Sequence, residues 1–372
     1  MDKLFFYNQI DNENITYRDL IMILNGKADY HIGTSQTYGD IFINIIRTLL
    51  QGKPVTGVTD MILKIRRAKD WNINLYTSGT TGIPKKVTHS FDSLTREIKV
   101  SRDRAEDIWG LAYNPMHMAG LQVFFQALLN GNSIINLFKL SKKNIYKLIE
   151  QFNITHISAT ATFYRQLLPC NKIFPSIKQI TFGGEKYSDK VSGEIKKIFP
   201  NARILNIYAS TEAGSLFTSN GDIFWIKDRY IPFVRVVDNE LLIHKDILGE
   251  FGLSGDWYHT GDMVEIININ PLRFRFVARK NEIINVGGYN VSPHEVEEII
   301  SKYPKVKNVV VYGKPNSVLG NIICADIEAV ASIGQKNIRL FLKDKLADYK
   351  IPRIINFVDK VEMTETGKVK RI

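Results

Sequence analysis

Short apolar runs bounded by polar turns alternate with stretches of helical spacing along most of the chain. INLYTSG (73–79) is a strand-like run entering a Gly-rich turn, and LQVFFQALLNG (121–131) reads as a buried helix ending at Gly131. HISATAT (156–162), IKQITFGG (177–184) and RILNIYAS (203–210) read as strands that end at small or polar residues. This strand–helix alternation predicts a large α/β body. Past residue 280 the pattern changes. Ser292, Pro293 and Glu295 predict a helix opened by a capping box, with Pro in the first turn. VKNVVVYG, ICADIEAV and IINFVDKV then read as strands, with a helix near NIRLFLKDKLAD. The expected organisation is a core domain over 1–280 and a small α+β domain over 281–372. No internal repeat or low-complexity linker interrupts it.

Composition narrows the function classes. The 372 residues are 44% hydrophobic and 23% charged, enough for a large core and for two domains. No apolar run approaches bilayer-spanning length, and MDKLFFYNQI is broken by Asn8 and Gln9 too early to be a secretory signal. Cys170 and Cys324 lie far apart with no metal or redox spacing, so the expectation is a cytoplasmic protein with two reduced thiols. The formal net charge of +11 is spread along the whole chain, with no basic arm and no Cys/His finger spacing. It is read as a bias towards phosphate-bearing small molecules, with no nucleic-acid partner.

Three segments carry chemistry on their own terms. Thr77, Ser78, Gly79, Thr80, Thr81 and Gly82 combine four hydroxyls with two glycines, and Lys85 follows. Glycines let backbone N–H groups approach a phosphate, hydroxyls add donors, and Lys adds a mobile cation. The spacing is not that of a Walker loop, and a flexible surface turn is the bland alternative. Tyr208 ends a strand, where its ring can stack on a base or simply pack in a core. Thr211 and Glu212 follow at once, a hydroxyl and a carboxylate suited to a hard cation or to solvent. Lys368 stands in TETGKVKR near the end of the sequence, where a surface lysine is the default.

Taken together, YTSGTTGIPKKV from Tyr76 resembles the phosphate loop of the adenylate-forming superfamily of acyl- and aryl-CoA synthetases, luciferases and peptide-synthetase adenylation domains. Gly183, Gly184 and Glu185 resemble its adenine-side loop, NIYASTE its aromatic and Thr-Glu motif, and YHTGD its ribose-binding motif. ARKNEIINVGGYNVSPHEVE resembles its hinge and thioester segment, and TETGKVKR its catalytic-lysine motif. The resemblance covers the chain from about residue 70 onwards, with the segments in the family's order. It implies an adenylate-forming α/β body with a small mobile C-terminal domain. ATP, Mg²⁺ and coenzyme A are the implied cofactors, and a carboxylic acid is the implied substrate. By the same resemblance Thr211 contacts phosphate and Glu212 helps hold Mg²⁺. Asp262 accepts from the ribose hydroxyls, Arg279 steadies the nucleotide, and Lys368 bridges carboxylate and phosphate during adenylation. His117 closes the carboxylate pocket, Asn281 is the hinge, and Gly287, Gly288 and Tyr289 line the pantetheine path.

Departures from the family pattern are few. Ala209 and Ala278 stand where Gly is usual, Asn281 where Asp is usual, Asn285 and Asn290 where basic residues are common, and Glu362 where Pro is usual. Residues 113–120 contain no Asp to meet a substrate amine, which disfavours an amino acid. The phosphate loop comes early, and Glu212 to Asp262 is compressed. That points to a short form with a trimmed first subdomain, resembling o-succinylbenzoate–CoA-ligase-like members and leaving room for an open acyl pocket or a homodimer partner. The expected activity is acid–thiol ligation to CoA. A pantetheinyl acyl carrier protein as acceptor, and a non-catalytic nucleotide or acyl-adenylate sensor, are the alternatives.

Overall fold

The computed structural model describes residues 2–28, 36–77 and 85–362. The chain divides into two compact units. One comprises Met1–Gly184, Val191–Asn220 and Lys245–Asp256; the other comprises Glu185–Lys190, Gly221–His244 and Trp257–Ile372.

Among the described residues the first unit holds ten strands: β1 (Leu4–Asn8), β2 (Glu13–Thr16), β3 (Asn72–Thr77), β4 (Lys85–Ser90), β5 (Ile108–Leu111), β6 (Ser133–Asn136), β7 (His156–Ala159), β8 (Gln179–Gly183), β9 (Arg203–Ser210) and β10 (Gly214–Ser219). Eight of them form one sheet in the order β10-β9-β8-β7-β5-β6-β1-β2. Its interior pairs are parallel, and antiparallel strands β2 and β10 close its edges. Central strands such as SIIN and QITFG are buried nearly throughout, as a parallel sheet covered on both faces requires. The helix Tyr38–Leu50 starts at a capping box between Thr37 and Asp40. It meets the helix Met118–Leu128 through Phe42 stacked on Phe124 at 4.2 Å, and Phe6 of β1 packs edge-on against Phe42. With β3 and β4 paired in a separate hairpin, this scaffold leaves the ends of β5, β8 and β9 on the side where open α/β sheets bind ligands.

The second unit holds β11 (Ile223–Trp225), β12 (Val234–Val237), β13 (Glu240–His244), β14 (Trp257–Asn268), β15 (Arg273–Arg279), β16 (Ile284–Val286), β17 (Tyr289–Val291), β18 (Val306–Asn316), β19 (Gly320–Ala329) and β20 (Ile354–Val358). A five-stranded antiparallel sheet runs β11-β15-β14-β13-β12, and a three-stranded sheet runs β18-β19-β20. Val296, Ile300, Ile327, Ile338 and Ile355 are fully buried in the core that the second sheet shares with helices Pro293–Ser301 and Gln335–Lys343. The expected capping box at Ser292 is not formed. The Ser292 hydroxyl donates instead to the Val277 carbonyl at 3.1 Å, and Lys350 holds both oxygens of Glu295 at 2.7 and 2.8 Å. Two tertiary partners outcompete the local bonds that the sequence pattern anticipates.

Among the described residues no helix is long and apolar enough to cross a membrane. Both cysteines are free thiols.

Candidate active site

In the first unit Tyr208, Thr211, Glu212 and Lys85 lie at or beside the turn between β9 and β10. Ala213 N–H donates to Ser210 Oγ at 3.1 Å and closes that turn. Behind it lies a side chain that sequence reasoning missed. His89, 1% exposed, sets Nε2 2.6 Å from the Thr211 carbonyl and Nδ1 3.0 Å from Ser93 Oγ. A carbonyl only accepts, so the Nε2 proton is the one that holds the Thr211 carbonyl. Burial pushes the His89 pKa down, and Arg96 adds to this; the Thr211 carbonyl and Glu212 oppose it. The Glu212 carbonyl accepts from Gly249 N–H at 2.7 Å. A Cβ on Gly249 would stand 2.7 Å from His89 Cε1, His89 Nε2 and Val87 Cγ1, so only glycine lets this strap lie against the histidine. The available signal was period two along β4: Lys85, Val87 and His89 share one face.

Lys85 and Glu212 meet at the same turn. Lys85 Nζ lies 3.8 Å from Glu212 Oε1 and 3.5 Å from the centroid of the Phe251 ring. Partial burial lowers the Lys85 pKa, and Glu212 pulls it back up. Glu212 keeps only 13% of its side chain exposed, so its negative charge needs a cation nearby. Thr77, the last residue of β3, is the register partner of Lys85, so the two ends of the predicted phosphate loop are paired. Ser78, Gly79, Thr80, Thr81 and Gly82 lie outside the described residues.

Tyr208 stacks on Phe217 of the neighbouring strand, centroids 5.5 Å apart and planes 19° from parallel, which fixes the ring at the end of β9. Gly183 ends β8, and its carbonyl accepts from Tyr113 Oη at 3.2 Å. Gly184 has φ +76°, the left-handed region that glycine enters without strain. His117, half-buried, is the N-cap of the helix Met118–Leu128 and makes no side-chain capping bond. That helix is seated by Gly120, where a Cβ would stand 2.2 Å from the Asn114 carbonyl oxygen and 2.8 Å from Pro115 Cα. Backbone cannot yield as a flexible side chain can. Gly120→Ala is therefore expected to destabilise the protein by about 1–3 kcal/mol or more through overpacking. An unchanged denaturant midpoint would count against this packing.

The second unit holds the other candidates. Asp262, 7% exposed, faces Arg279 across β14 and β15, with Arg279 Nε 3.0 Å from Asp262 Oδ1. Asn281 is exposed in the short turn Lys280–Glu282 that follows β15. Gly287 (φ +58°) and Gly288 (φ +89°) form the two-residue connection of the β16–β17 hairpin, where both positions take left-handed backbone. Tyr289, exposed, stacks on Tyr349 at 4.4 Å. Glu185 is half-buried and belongs to this unit. Lys368 lies outside the described residues.

Residues 50–241 match the family model described as AMP-binding enzyme, and residues 295–368 match the model of the AMP-binding enzyme C-terminal domain. The chain belongs to the AMP-binding enzyme family. Among relatives of this AMP-binding enzyme, the 2-succinylbenzoate–CoA ligase of Listeria monocytogenes serotype 4b (strain F2365) is 27% identical over 327 residues, 80% of this chain and 68% of the relative. The acetyl-coenzyme A synthetase of Bacillus subtilis (strain 168) is 28% identical over 350 residues, 82% of this chain and 61% of the relative. The fold is that of solved adenylate-forming enzymes. The o-succinylbenzoate CoA synthetase of Bacillus subtilis, in complex with its acyl-adenylate intermediate, superposes with a TM-score of 0.73 at 17% identity, covering 99% of this chain and 94% of that one. ATP-bound MatB from Rhodopseudomonas palustris gives 0.73 at 18% identity over the same shares of the two chains. The superfamily resemblance read from the six segments is thus borne out.

Proposed function

We propose that this AMP-binding enzyme is an ATP-dependent acid–thiol ligase. It joins a carboxylic acid to the α-phosphate of ATP, releasing pyrophosphate, and then passes the acyl group to the thiol of coenzyme A, releasing AMP. One observation carries the reading: relatives named as CoA ligases and synthetases align over about four-fifths of the chain, the stretch that contains the Lys85–Glu212 and Asp262–Arg279 pairs.

The residues suit the two steps. In the first, a carboxylate oxygen attacks the α-phosphorus, the bond to pyrophosphate breaks, and negative charge crowds the transition state. The Lys85 ammonium and the hydroxyl-rich loop before it meet phosphate oxygens, and Lys368 bridges the attacking carboxylate and the α-phosphate. Glu212, a hard oxygen donor that already faces a cation, would help hold Mg²⁺ together with the Thr211 hydroxyl. Mg²⁺ bound there supplies charge neutralisation at those phosphates. Tyr208, its ring stacked on Phe217, serves the adenine together with Gly183, Gly184 and Glu185, and Asp262 accepts from the ribose hydroxyls while Arg279 holds it. In the second step the thiolate sulfur attacks the acyl carbon and AMP leaves. The Gly287–Gly288 turn beside Tyr289 has no side chain to block a pantetheine arm, and Asn281 is the hinge that brings it into use. His117 closes the carboxylate pocket.

The absence of a carboxylate side chain in residues 113–120 supports a substrate without an amine, an aryl or short acyl acid. Free thiols support a cytoplasmic setting. Mass spectrometry of products formed from ATP, Mg²⁺ and a carboxylic-acid library without thiol is expected to show a mass equal to acid plus AMP for at least one acid. Failure across the library would sink the adenylation reading. Adding free CoA should then convert that product to a thioester; transfer only to a pantetheinyl carrier protein would replace CoA as the acceptor.

A further inference from the structure

Asp262 does not sit on regular strand. Glu240 of β13 pairs with Met263 and Leu242 pairs with His259, so one residue on β13 faces three on β14: Thr260, Gly261 and Asp262. The extra residues form a bulge, the device that re-aims a side chain beside a site. Gly261 has φ +72° within it. Three hydrogen bonds pin the bulge. Thr260 Oγ1 donates to the Leu241 carbonyl at 2.7 Å, Asp262 N–H donates to Thr260 Oγ1 at 3.0 Å, and Gly261 N–H donates to Glu240 Oε1 at 3.0 Å.

Glu240 is the unusual member. It is 5% exposed, and burying a carboxylate is costly unless it is well paired. Its second oxygen lies 3.1 Å from Lys280 Nζ and 3.4 Å from His259 Nδ1. Burial alone raises its pKa, but the contacts from Lys280, Gly261 and His259 prevail and hold the carboxyl below the ordinary glutamate range. Lys280 opens the turn that contains Asn281 and directly follows Arg279, the partner of Asp262. One buried carboxylate thus holds the Gly261 backbone beside Asp262 and the Lys280 side chain beside Arg279.

We infer that Glu240 is the positioning residue of the ribose subsite: it sets the bulge that aims Asp262 at the ribose diol and ties the Arg279–Lys280 segment to it. This rests on the proposed role of Asp262. The test is calorimetric titration of Mg·ATP and Mg·2′,3′-dideoxy-ATP into the wild-type protein, Glu240→Ala and Glu240→Gln, with melting curves recorded for each. Wild type is expected to bind ATP roughly tenfold or more tightly than the dideoxy nucleotide, because hydrogen bonds to a charged acceptor are lost with the hydroxyls. Glu240→Ala should bring the ratio within about threefold of unity by weakening ATP and leaving the dideoxy nucleotide nearly unaffected. A merely structural role would weaken both nucleotides alike and keep the ratio, which would overturn the inference. If the alanine variant does not fold, Glu240→Gln decides, since it keeps an acceptor for Gly261 while losing the charge opposite Lys280. It should lower the ratio by several-fold, and an unchanged ratio again overturns the inference. A wild-type protein that binds both nucleotides equally refutes the ribose role of Asp262 itself. Discrimination by wild type that survives intact in the Glu240 variants refutes only the role of Glu240.

Discussion

Lys368→Ala is expected to lower ATP-dependent pyrophosphate release by about 10²–10³-fold, with little change in nucleotide affinity. The reason is where the charge appears. In the ground state the attacking carboxylate and the α-phosphate are separate anions with their own counter-charges. In the transition state they share a bond, and a cation lying between them is worth more than before. An interaction made mainly in that state lowers kcat and kcat/KM together when it is removed. Thiolysis of acyl-adenylate supplied from outside forms no bond to phosphorus, so it should retain most of its rate. The measurement is pyrophosphate release on an accepted acid, beside thioester formation from the synthetic acyl-adenylate. Equal, near-zero release from wild type and variant on every acid of a broad panel would favour the non-catalytic sensor.

Glu212→Gln should weaken the apparent Mg²⁺ affinity of the ATP-bound protein by at least the roughly 10–100-fold that loss of a supporting partner costs at metal sites. Glutamine keeps the volume and removes the charge. The turn itself should survive, because its anchors are backbone carbonyls: Thr211 to His89 and Glu212 to Gly249. Melting temperature should therefore move little while the Mg²⁺ titration shifts. Lys85 should also feel the change. Burial already lowers its pKa, and Glu212 is the group that raises it, so losing that carboxylate lowers it further. Since the two side chains share one interaction, adding Lys85→Gln to Glu212→Gln should cost less than the sum of the single effects. A Mg²⁺ dependence identical to wild type would remove Glu212 from the metal site.

Both predictions concern residues legible in the sequence; the residues that hold the Thr211–Glu212 turn and the Asp262 segment in place were not. Tyr208, Thr211 and Glu212 stand in one short segment at the end of β9 and Asp262 in another on β14, so each motif can be read from neighbouring positions. His89 and Glu240 act through contacts 122 and 21 positions along the chain. No local pattern marks them: a histidine on a strand and a glutamate at a strand start are ordinary until their partners are known. Ser292 shows the converse. Its local pattern was complete, yet the Val277 carbonyl and Lys350 took the two side chains the capping box required.

The sequence by itself therefore determined the α/β character of the chain, several of its strands and helices, and the family to which its motif segments belong. Those properties depend on neighbours a few positions apart, where hydrophobic period, turn residues and consecutive polar groups are written directly. The tertiary structure decided which groups hold those segments in place: His89 and Gly249 behind Thr211 and Glu212, Phe251 beside Lys85, and Glu240 under the Asp262 bulge. Buried polar groups must find partners wherever the fold brings them, and that pairing exists only once distant parts of the chain have packed together.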